Sequence, residues 1–319
     1  MNPTRREIIS LLKKEDFQDI YRKADRIRKE AVGDVIHIRA LLEFSNHCRR
    51  QCLYCGLNRT NSMLPRFRLT PDEIVDISYK AYNAGYRTIV LQSGEDGWFT
   101  QKILGDIIRR IKACGIAITL SCGEFPPETY RYFKECGADR YLLKHETSDS
   151  ELYASLHPDS TLATRINCLQ AIKKAGMETG GGFMIGLPGQ TLEIIADDLL
   201  LLKEIGCDMA GIGPFLPHPD TLLRNAVPGS AELTARAVAI ARLLLPKANL
   251  PATTSLGVLD WEQKQNVFRR GANVIMQKVT PSRVKRLYEI YPSKLPDTDV
   301  ISDRKAIEES IRQMGRIPK

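Results

Sequence analysis

Short apolar runs alternate with amphipathic helical patterns along this 319-residue sequence, and this alternation restricts the fold more than any other feature. Eight runs have the length and residue content of buried strands, and helical patterns separate most of them. The predicted strands are 36–44, 87–92, 116–120, 140–143, 183–185, 209–212, 252–255 and 273–276. Strands and helices in alternation predict parallel β/α units. Right-handed crossovers close eight such units most naturally into a (β/α)8 TIM barrel.

The predicted helices fit between these strands. Thr70, Pro71 and Glu73 form a capping box with proline at the first helical position, which marks a helix start. Further helices are predicted over 103–111, 130–136, 166–174, 192–205, 233–245 and near 261–269. A doubly wound open sheet is the alternative fold, but no G-x-G-x-x-G motif follows the first strand.

The flanks of the barrel have their own patterns. Residues 1–32 predict amphipathic helices that pack outside the barrel as an N-terminal helical extension. We assign residues 33–292 to the barrel and 293–319 to a C-terminal helical segment.

Polar clusters follow six of the predicted strands, and a seventh cluster ends the predicted strand at 252–255. They occupy 48–55, 93–96, 121–124, 144–147, 186–190, 214–220 and 253–255. Active sites of β/α barrels lie at the carboxyl ends of the strands. The sequence therefore predicts that these clusters meet at one mouth of the barrel.

The first of these clusters contains Cys48, Cys52 and Cys55 in a C-x3-C-x2-C array. A four-iron cluster has four corners, so three thiolates leave one iron open to a small molecule. A zinc site would need a fourth ligand, and His47 is poorly placed to supply it. A disulfide is not expected, because no secretory segment accompanies the eight cysteines. The other cysteines stand singly and are predicted to be structural: Cys114, Cys122, Cys136, Cys168 and Cys207.

Composition excludes several classes of protein. The net charge of +8 is spread over segments in which acidic residues alternate with basic ones, and no nucleic-acid motif accompanies it. No apolar run reaches the roughly 18–20 residues that cross a bilayer. We therefore expect a protein that binds neither nucleic acid nor membrane, and the cysteine usage predicts a reducing, cytoplasmic setting. The positive charge favours anionic small molecules or an acidic partner.

The cysteine array and its surroundings, 43–57, resemble the radical S-adenosylmethionine (SAM) superfamily. Within it, the sequence is similar to the branch that contains biotin synthase, methylornithine synthase and an FeFe-hydrogenase maturase, and of these three it resembles the maturase more. The blocks that carry the resemblance are LQSGED (91–96), RYLLKHET (140–147), GLPGQT (186–191), GIGPFLPHPDT (211–221), PATTS (251–255) and GANVIM (271–276).

The resemblance implies an enzyme that cleaves SAM reductively at one 4Fe-4S cluster and forms a 5′-deoxyadenosyl radical. It implies that Cys48, Cys52 and Cys55 bind the cluster. The implied SAM-binding residues are Tyr54, Thr119, Ser121, Glu146, Arg165, Met184 and Leu216. The candidate substrate residues are Ser93, Arg140, Thr253, Thr254, Met276 and Tyr291.

Several of these residues have a structural alternative. Arg140 could form an internal ion pair with Asp139 or Glu124. Thr253 and Thr254 could be β-formers at a strand end, and Met276 and Tyr291 could be core residues. His145 is expected to be a satisfied core histidine. The role of His218 is left open, since the prolines around it chiefly fix the shape of the loop.

The implied function is maturation of FeFe hydrogenase, acting on a cysteine-derived or cysteine-bound iron precursor. The implied partners are a ferredoxin- or flavodoxin-like electron donor and other maturation proteins. A paralogue or a methylornithine-synthase-like mutase with another substrate is the alternative, and an iron–sulfur electron carrier or scaffold is the alternative of another class. Residues 291–299 contain no cysteine, so a second cluster in that stretch is not expected.

Overall fold

Parallel strands form the centre of the protein, whose computed structural model describes residues 3–292 and 300–319. The strands are β1 Val35–Ser45, β2 Thr88–Ser93, β3 Ala117–Ser121, β4 Arg140–Leu142, β5 Glu178–Ile185, β6 Met209–Pro214, β7 Val274–Lys278 and β8 Ile317–Pro318. Seven of them form a parallel sheet in the order β6-β5-β4-β3-β2-β1-β7, and β8 pairs with the start of β1.

An extended segment at 249–252 connects the two edges of this sheet. The backbone N–H of Ala210 in β6 donates to Asn249 O at 3.1 Å, and Ala252 N donates to Val274 O in β7 at 2.9 Å. This segment takes the place of the eighth strand, and the predicted β/α barrel is confirmed.

The predicted strand at 252–255 is wrong in position. Thr253 is the N-cap of the helix Thr254–Leu259, and its Oγ1 accepts from Leu256 N at 3.4 Å. Threonine favours both strands and N-caps, and here the capping geometry determines the structure.

Helices alternate with the strands as predicted. They are α1 Arg5–Leu12, α2 Gln18–Val32, α3 Pro71–Asn83, α4 Gln101–Lys112, α5 Pro127–Cys136, α6 Ser150–Leu156, α7 Leu162–Lys174, α8 Leu192–Ile205, α9 Ala231–Leu244, α10 Thr254–Leu259, α11 Trp261–Asn266, α12 Ser282–Lys285 and α13 Val300–Gln313. A 3-10 turn at Val267–Arg269 follows α11. Within the described ranges, no helix combines the length and apolar character needed to span a bilayer.

The predicted capping box at the start of α3 is present. Thr70 Oγ1 accepts from Glu73 N at 3.2 Å, and the Glu73 carboxylate accepts from Thr70 N at 2.8 Å. These reciprocal bonds satisfy two backbone donors at the end of the helix.

Strand β1 shows how the barrel separates its core from its cavity. Ala40, Leu42 and Phe44 are fully buried in the hydrophobic core. Side chains alternate along a strand, so Arg39, Leu41 and Glu43 lie on the opposite face, where they line the interior cavity.

The terminal segments pack around the barrel. Helix α1 contacts α8, and α2 contacts α9, as expected for the helical extension. Near the other terminus, Ile317 and Pro318 pair with Val35 and Ile36 at the amino end of β1. The division into 1–32, 33–292 and 293–319 stays a prediction, and residues 293–299 at its second boundary lie outside the described residues.

Candidate functional site

A cavity of about 350 Å³ lies inside the barrel and opens toward the carboxyl ends of the strands. Fifteen of the sixteen predicted site residues line it, all except Arg140. The separate strand-end clusters therefore meet at one site, as the barrel topology requires.

The cysteine loop that follows β1 has no regular secondary structure, and side chains fix its path. The Arg66 guanidinium donates to four backbone carbonyls, those of Asn46, Leu57, Asn58 and Asn61, at 2.6–3.2 Å. The Asn46 side-chain amide donates to Pro65 O at 2.9 Å and to Leu287 O at 2.8 Å. Sequence analysis did not assign a role to Arg66, and an arginine shortly after the cysteines gives no motif that would have identified it.

The three thiols of the loop are free and only partly buried, and all face the cavity. Burial raises the pKa of Cys48 and raises the pKa of Cys52 to about 12. The Glu95 backbone N–H donates to Cys48 Sγ at 3.4 Å. Thiols in this environment ionise when a bound cationic centre compensates for the lost hydration.

The loop does not have the arrangement of a zinc site. Among the described residues, no three cysteine, histidine or acidic side chains converge on the position of a single metal ion. His47, the candidate fourth ligand, does not line the cavity. A four-iron cluster needs no such convergence, because each thiolate binds a different iron atom.

Glu146 lies on the cavity wall just after β4, in an unusual backbone conformation. Its φ of 67° is the only positive φ among the described non-glycine residues. Its backbone is fixed by β5, since Glu146 N donates to Gly182 O and Met184 N donates to Glu146 O. Such a conformation costs free energy and persists where the surroundings impose it.

The Glu146 carboxylate is held ionised by its neighbours. Burial acts to raise its pKa, but Lys144, with Nζ 3.0 Å from Glu146 Oε2, and Arg165 together lower the pKa below its ordinary value. The carboxylate therefore stays negatively charged at neutral pH.

Arg165 lies on α7 and is held from two sides. Its Nη1 donates to Lys144 O at 3.0 Å, and its Nε lies 2.7 Å from Glu124 Oε1 in an ion pair without hydrogen-bond alignment. Glu124 also accepts from Arg50 Nη2 at 2.5 Å, and Arg50 Nε donates to Glu95 at 2.7 Å. This buried network connects the loops after β1, β2 and β3 to α7.

Tyr54, between the second and third cysteines, is oriented by His157. His157 Nδ1 donates to the Tyr153 carbonyl at 2.9 Å, so Nε2 is the acceptor for the Tyr54 hydroxyl at 3.0 Å. Burial lowers the pKa of His157 to about 4 and keeps the ring neutral. The four other predicted SAM-binding residues also line this cavity: Thr119, Ser121, Met184 and Leu216.

The predicted substrate residues other than Arg140 share this cavity: Ser93, Thr253, Thr254, Met276 and Tyr291. Burial raises the pKa of the Tyr291 phenol, which the hydroxyls of Thr254 and Ser255 act to lower. Hydroxyls therefore cluster at the start of α10, where the chain leaves the segment that connects the sheet edges.

Arg140 is the exception. It is the first residue of β4, and its Nε donates to Glu178 Oε2 at 2.6 Å, where Glu178 is its partner in the parallel register. The structural alternative of an ion pair is present, but with Glu178 rather than Asp139 or Glu124. A residue that begins a strand lies at the end of the barrel opposite the mouth.

The cavity contains charged residues that sequence analysis did not assign. Glu43 and Lys278 form an ion pair at 2.8 Å, and Thr280 Oγ1 donates to Glu43 at 3.2 Å. Arg39 is 4% exposed, and its Nη1 lies 3.1 Å from Met209 Sδ. A signal was available for two of these residues. Arg39 and Glu43 are charged residues in an apolar strand, and because they are four positions apart, their side chains lie on the same face of it.

His145 is buried, as expected of a core histidine, and His218 is buried as well. His145 Nε2 lies 3.5 Å from Asp198 Oδ1, although neither ring nitrogen forms an aligned hydrogen bond. His218 Nδ1 accepts from Asp220 N at 3.1 Å. The single cysteines at 122, 136, 168 and 207 are buried, and Cys114 is partly buried.

The cavity fits a polar cosubstrate beside an iron–sulfur cluster. Three buried polar atoms form no aligned hydrogen bond, although two of them are in ion pairs: Thr119 Oγ1, Glu146 Oε2 and Arg165 Nε. Their residues all line the cavity near the cysteine loop. Buried polar atoms normally form aligned hydrogen bonds, so these positions suit a ligand that carries both charged and hydroxyl groups.

Comparison with known proteins agrees with this description. The sequence profile of the radical SAM superfamily matches residues 42–202. The chain is 48% identical to the [FeFe] hydrogenase maturase subunit HydE of Thermotoga maritima, over 98% of this chain and 90% of that protein. It is 27% identical to 3-methylornithine synthase of Methanosarcina acetivorans, over 98% and 89% of the two chains.

Solved structures show the same fold. The methylornithine synthase PylB superimposes with a TM-score of 0.88 at 25% identity, covering 100% of this chain and 95% of that one. The maturase HydG from Carboxydothermus hydrogenoformans superimposes with a TM-score of 0.85 at 22% identity, covering 100% and 76%. Members of the matched family use a 4Fe-4S cluster and SAM, for which the three thiols and the polar atoms without aligned hydrogen bonds are suited. From its sequence profile, its relatives and its fold, the chain belongs to the radical SAM superfamily.

Proposed function

We propose that this radical SAM enzyme is a HydE-type maturase of FeFe hydrogenase that acts on a cysteine-derived or cysteine-bound iron precursor. The observation that carries the proposal is the 48% identity to Thermotoga maritima HydE over 98% of the chain. Identity to the methylornithine synthases is much lower over the same length, at 27% and 26%.

In the proposed mechanism, Cys48, Cys52 and Cys55 hold the 4Fe-4S cluster. When bound, the cluster supplies the electron for reductive cleavage of SAM. The residues of the chain bind and orient the cosubstrate. The Glu146 carboxylate suits an ammonium group, and the Arg165 guanidinium suits a carboxylate.

Neighbouring charged residues hold the Glu146 carboxylate and the Arg165 guanidinium in place. Lys144 and Glu124 compensate the charges of Glu146 and Arg165, respectively. Tyr54 is held by His157 and presents its ring to the cavity beside the cysteines. The barrel wall separates the reacting centre from bulk water, which prevents side reactions.

The substrate is proposed to occupy the part of the cavity lined by Ser93, Thr253, Thr254, Met276 and Tyr291. Hydroxyl groups here can bond a carboxylate or an amino group, and the thioether of Met276 is a soft contact for a thiol or an iron ligand. Arg140 is not among these residues, because its guanidinium is paired with Glu178.

The proposal requires an electron donor of the ferredoxin or flavodoxin type, and other maturation proteins that supply the precursor and receive the product. The cytoplasmic location stays a prediction.

In vitro maturation tests the function. Purified protein, reconstituted anaerobically and supplied with SAM, reductant and the other maturation proteins, should activate cofactor-free FeFe hydrogenase. The Cys52→Ala variant should not. A wild-type protein that cleaves SAM but never activates the hydrogenase would contradict the maturase proposal while leaving the enzyme class intact.

A mutase of the methylornithine synthase type is the second candidate. The observation in its favour is the TM-score of 0.88 to PylB over nearly the whole of both chains. A screen of amino acids for a rearranged product, read by mass spectrometry, tests it. An electron carrier or scaffold, the candidate of another class, would hold a reducible cluster without cleaving SAM.

A further inference from the structure

Cys48 is exposed to two different spaces. Its side chain lines the interior cavity, and it also lines a depression of about 310 Å³ on the outer surface of the cysteine loop. We name this outer space the arginine depression. Its lining residues are His47, Cys48, Arg49, Arg59, Arg66, Arg68, Glu95, Asp96 and Gly97. Cys52 and Cys55 do not line it, so Cys48 is the cysteine at which the cluster site comes nearest to this face.

The arginine depression carries a surplus of positive charge. Four arginines face two acidic residues, and both acids are already paired. Asp96 is paired with Arg68 at 2.7 Å, and Glu95 lies within 3.1 Å of two arginines, Arg49 and Arg50. The negative charges are therefore neutralised from within the protein.

The uncompensated charge lies on two arginines. Arg66 is bonded to backbone carbonyls, and neither it nor Arg59 pairs with a carboxylate among the residues that the structure describes. Arg59 is exposed, and Arg49 at the rim has a side chain that is 63% exposed. Arg59 is in none of the ion pairs that the structure describes on this face, so its charge is the one available to a partner.

An exposed aromatic residue lies beside the depression. Trp98 is 47% exposed and lies 5.9 Å from the Arg68 guanidinium. Its backbone N–H donates to Asp96 Oδ1 at 3.0 Å, which fixes it to the loop that forms one wall. Tryptophan and arginine together are typical of protein interfaces.

We propose that the arginine depression is the docking surface for a small acidic one-electron carrier, bound with its redox group facing Cys48. The inference rests on the proposed radical SAM activity, which consumes electrons. One electron leaves the reduced carrier and reduces the cluster by one electron. No bond forms or breaks, and no proton is transferred.

The charge pattern is what selects the partner. Surface electrostatics of this kind speed and orient the encounter more than they tighten the complex, and salt weakens them. The surface is therefore suited to a transient complex that releases the oxidised carrier. An acidic carrier also complements the net charge of +8.

Arg59 is the residue to change, because the neighbouring arginines have structural bonds. Arg68 compensates the buried Asp96, and Arg66 holds the cysteine loop. The matched control is Arg22 on α2, whose side chain is 71% exposed and pairs with Asp19. Arg59→Glu and Arg22→Glu therefore make the same change in net charge at two different surfaces.

Binding is measured first, with the cluster-free chain and an acidic flavodoxin in its oxidised, FMN-loaded form, by fluorescence anisotropy. We expect Arg59→Glu to raise Kd about fivefold or more at low salt and Arg22→Glu to leave it within about twofold. Raising the salt concentration should remove the difference. Arg59→Gln, which removes the charge without reversing it, should have an intermediate effect on Kd. Circular dichroism of all variants checks that folding is unchanged.

Stopped-flow reduction of the reconstituted cluster by reduced flavodoxin is measured next, and Arg59→Glu should slow it by a similar factor at low salt. Equal effects of Arg59→Glu and Arg22→Glu, or no measurable binding, would overturn the docking proposal.

Dithionite-driven SAM cleavage by the wild-type protein separates this outcome from failure of the proposed function. Cleavage with dithionite but no Arg59-dependent flavodoxin binding contradicts the docking surface alone. Arg59-dependent binding without cleavage under dithionite contradicts the enzymatic function alone.

Discussion

Lys144 Nζ lies 3.0 Å from Glu146 Oε2, on the cavity wall at the carboxyl end of β4. Burial acts to raise the pKa of Glu146, and Lys144 is the largest of the influences that lower it below its ordinary value. Because the folded-state pKa is lowered, the ionised form is present at neutral pH and is lost only when the pH falls through that lowered pKa.

Lys144→Met should therefore move the acid limit of SAM binding to higher pH, since burial then acts on Glu146 with less compensation. The measurement is the Kd for SAM of the cluster-loaded protein between about pH 5 and 8. Lys144→Arg, which retains the charge, is the control. An unchanged acid limit in Lys144→Met would contradict the role given to this pair.

The buried contact between Arg165 and Glu124 should show energetic coupling. Both residues are less than 9% exposed, and their nearest side-chain atoms are 2.7 Å apart. A double-mutant cycle with Arg165→Lys and Glu124→Gln, measured by urea unfolding, should give a coupling energy of about 0.5–3 kcal/mol. The SAM affinity of Arg165→Lys should fall by about tenfold or more, because lysine cannot reproduce the planar two-sided contact. Strictly additive single effects would argue against the network.

Gly94 allows the loop after β2 to pack closely against the cysteine loop. A Cβ atom at this position would lie 2.3 Å from the His47 carbonyl oxygen and 2.8 Å from Cys48 Cβ. Gly94→Ala should therefore displace Cys48 and lower the amount of cluster bound, with a loss of stability of about 1–3 kcal/mol.

Gly97, three residues later in the same loop, is the control for this substitution. A Cβ atom there would meet nothing within 4 Å. Gly97→Ala should bind iron and sulfide at the wild-type stoichiometry. Iron content measured after anaerobic reconstitution decides the matter, and equal values for the two variants would refute the packing argument.

Asp198 should be a positioning residue for the loop after β5. It is fully buried, and it accepts from Ser148 N at 2.5 Å and from Gln190 Nε2 at 3.3 Å. Gln190 in turn bonds Met184 O at 2.8 Å, and Met184 lines the cavity.

Asp198→Asn should cost about 1–3 kcal/mol of unfolding free energy, because buried donors lose a charged acceptor. It should also weaken SAM binding. The adjacent Asp197 is 42% exposed and pairs with Arg5 on the surface, so Asp197→Asn should cost less than about 1 kcal/mol. Urea unfolding of both variants makes the comparison, and equal costs would contradict the positioning role.

The barrel and the composition of its mouth were predictable because they follow from local patterns. Apolar runs gave the strands, and the parallel topology required the residues after each strand to lie together. Residues as far apart in sequence as Cys48, Glu146 and Thr254 do line one cavity. The resemblance to a family predicted which of the clustered residues face a cosubstrate, and that assignment stays a prediction.

Other features depend on three-dimensional contacts that a sequence does not display. Arg140 is paired through the register between β4 and β5, and that register is set by packing. Its position at the start of a strand was already an argument against a place at the mouth. Arg66 holds the cysteine loop through backbone carbonyls, which have no sequence signature. Thr253 could form a strand or cap a helix, and only the path of the chain after 252 decides between them.

Reductive cleavage of SAM is the central claim, and it is tested most directly by measuring 5′-deoxyadenosine. Wild-type protein, reconstituted anaerobically and reduced with dithionite, should release 5′-deoxyadenosine from SAM. Cys52→Ala should lose both the four-iron spectrum and the product, whereas Cys114→Ser, which changes a partly buried cysteine outside the cavity, should retain both. No 5′-deoxyadenosine from reduced, cluster-loaded wild-type protein would contradict the account.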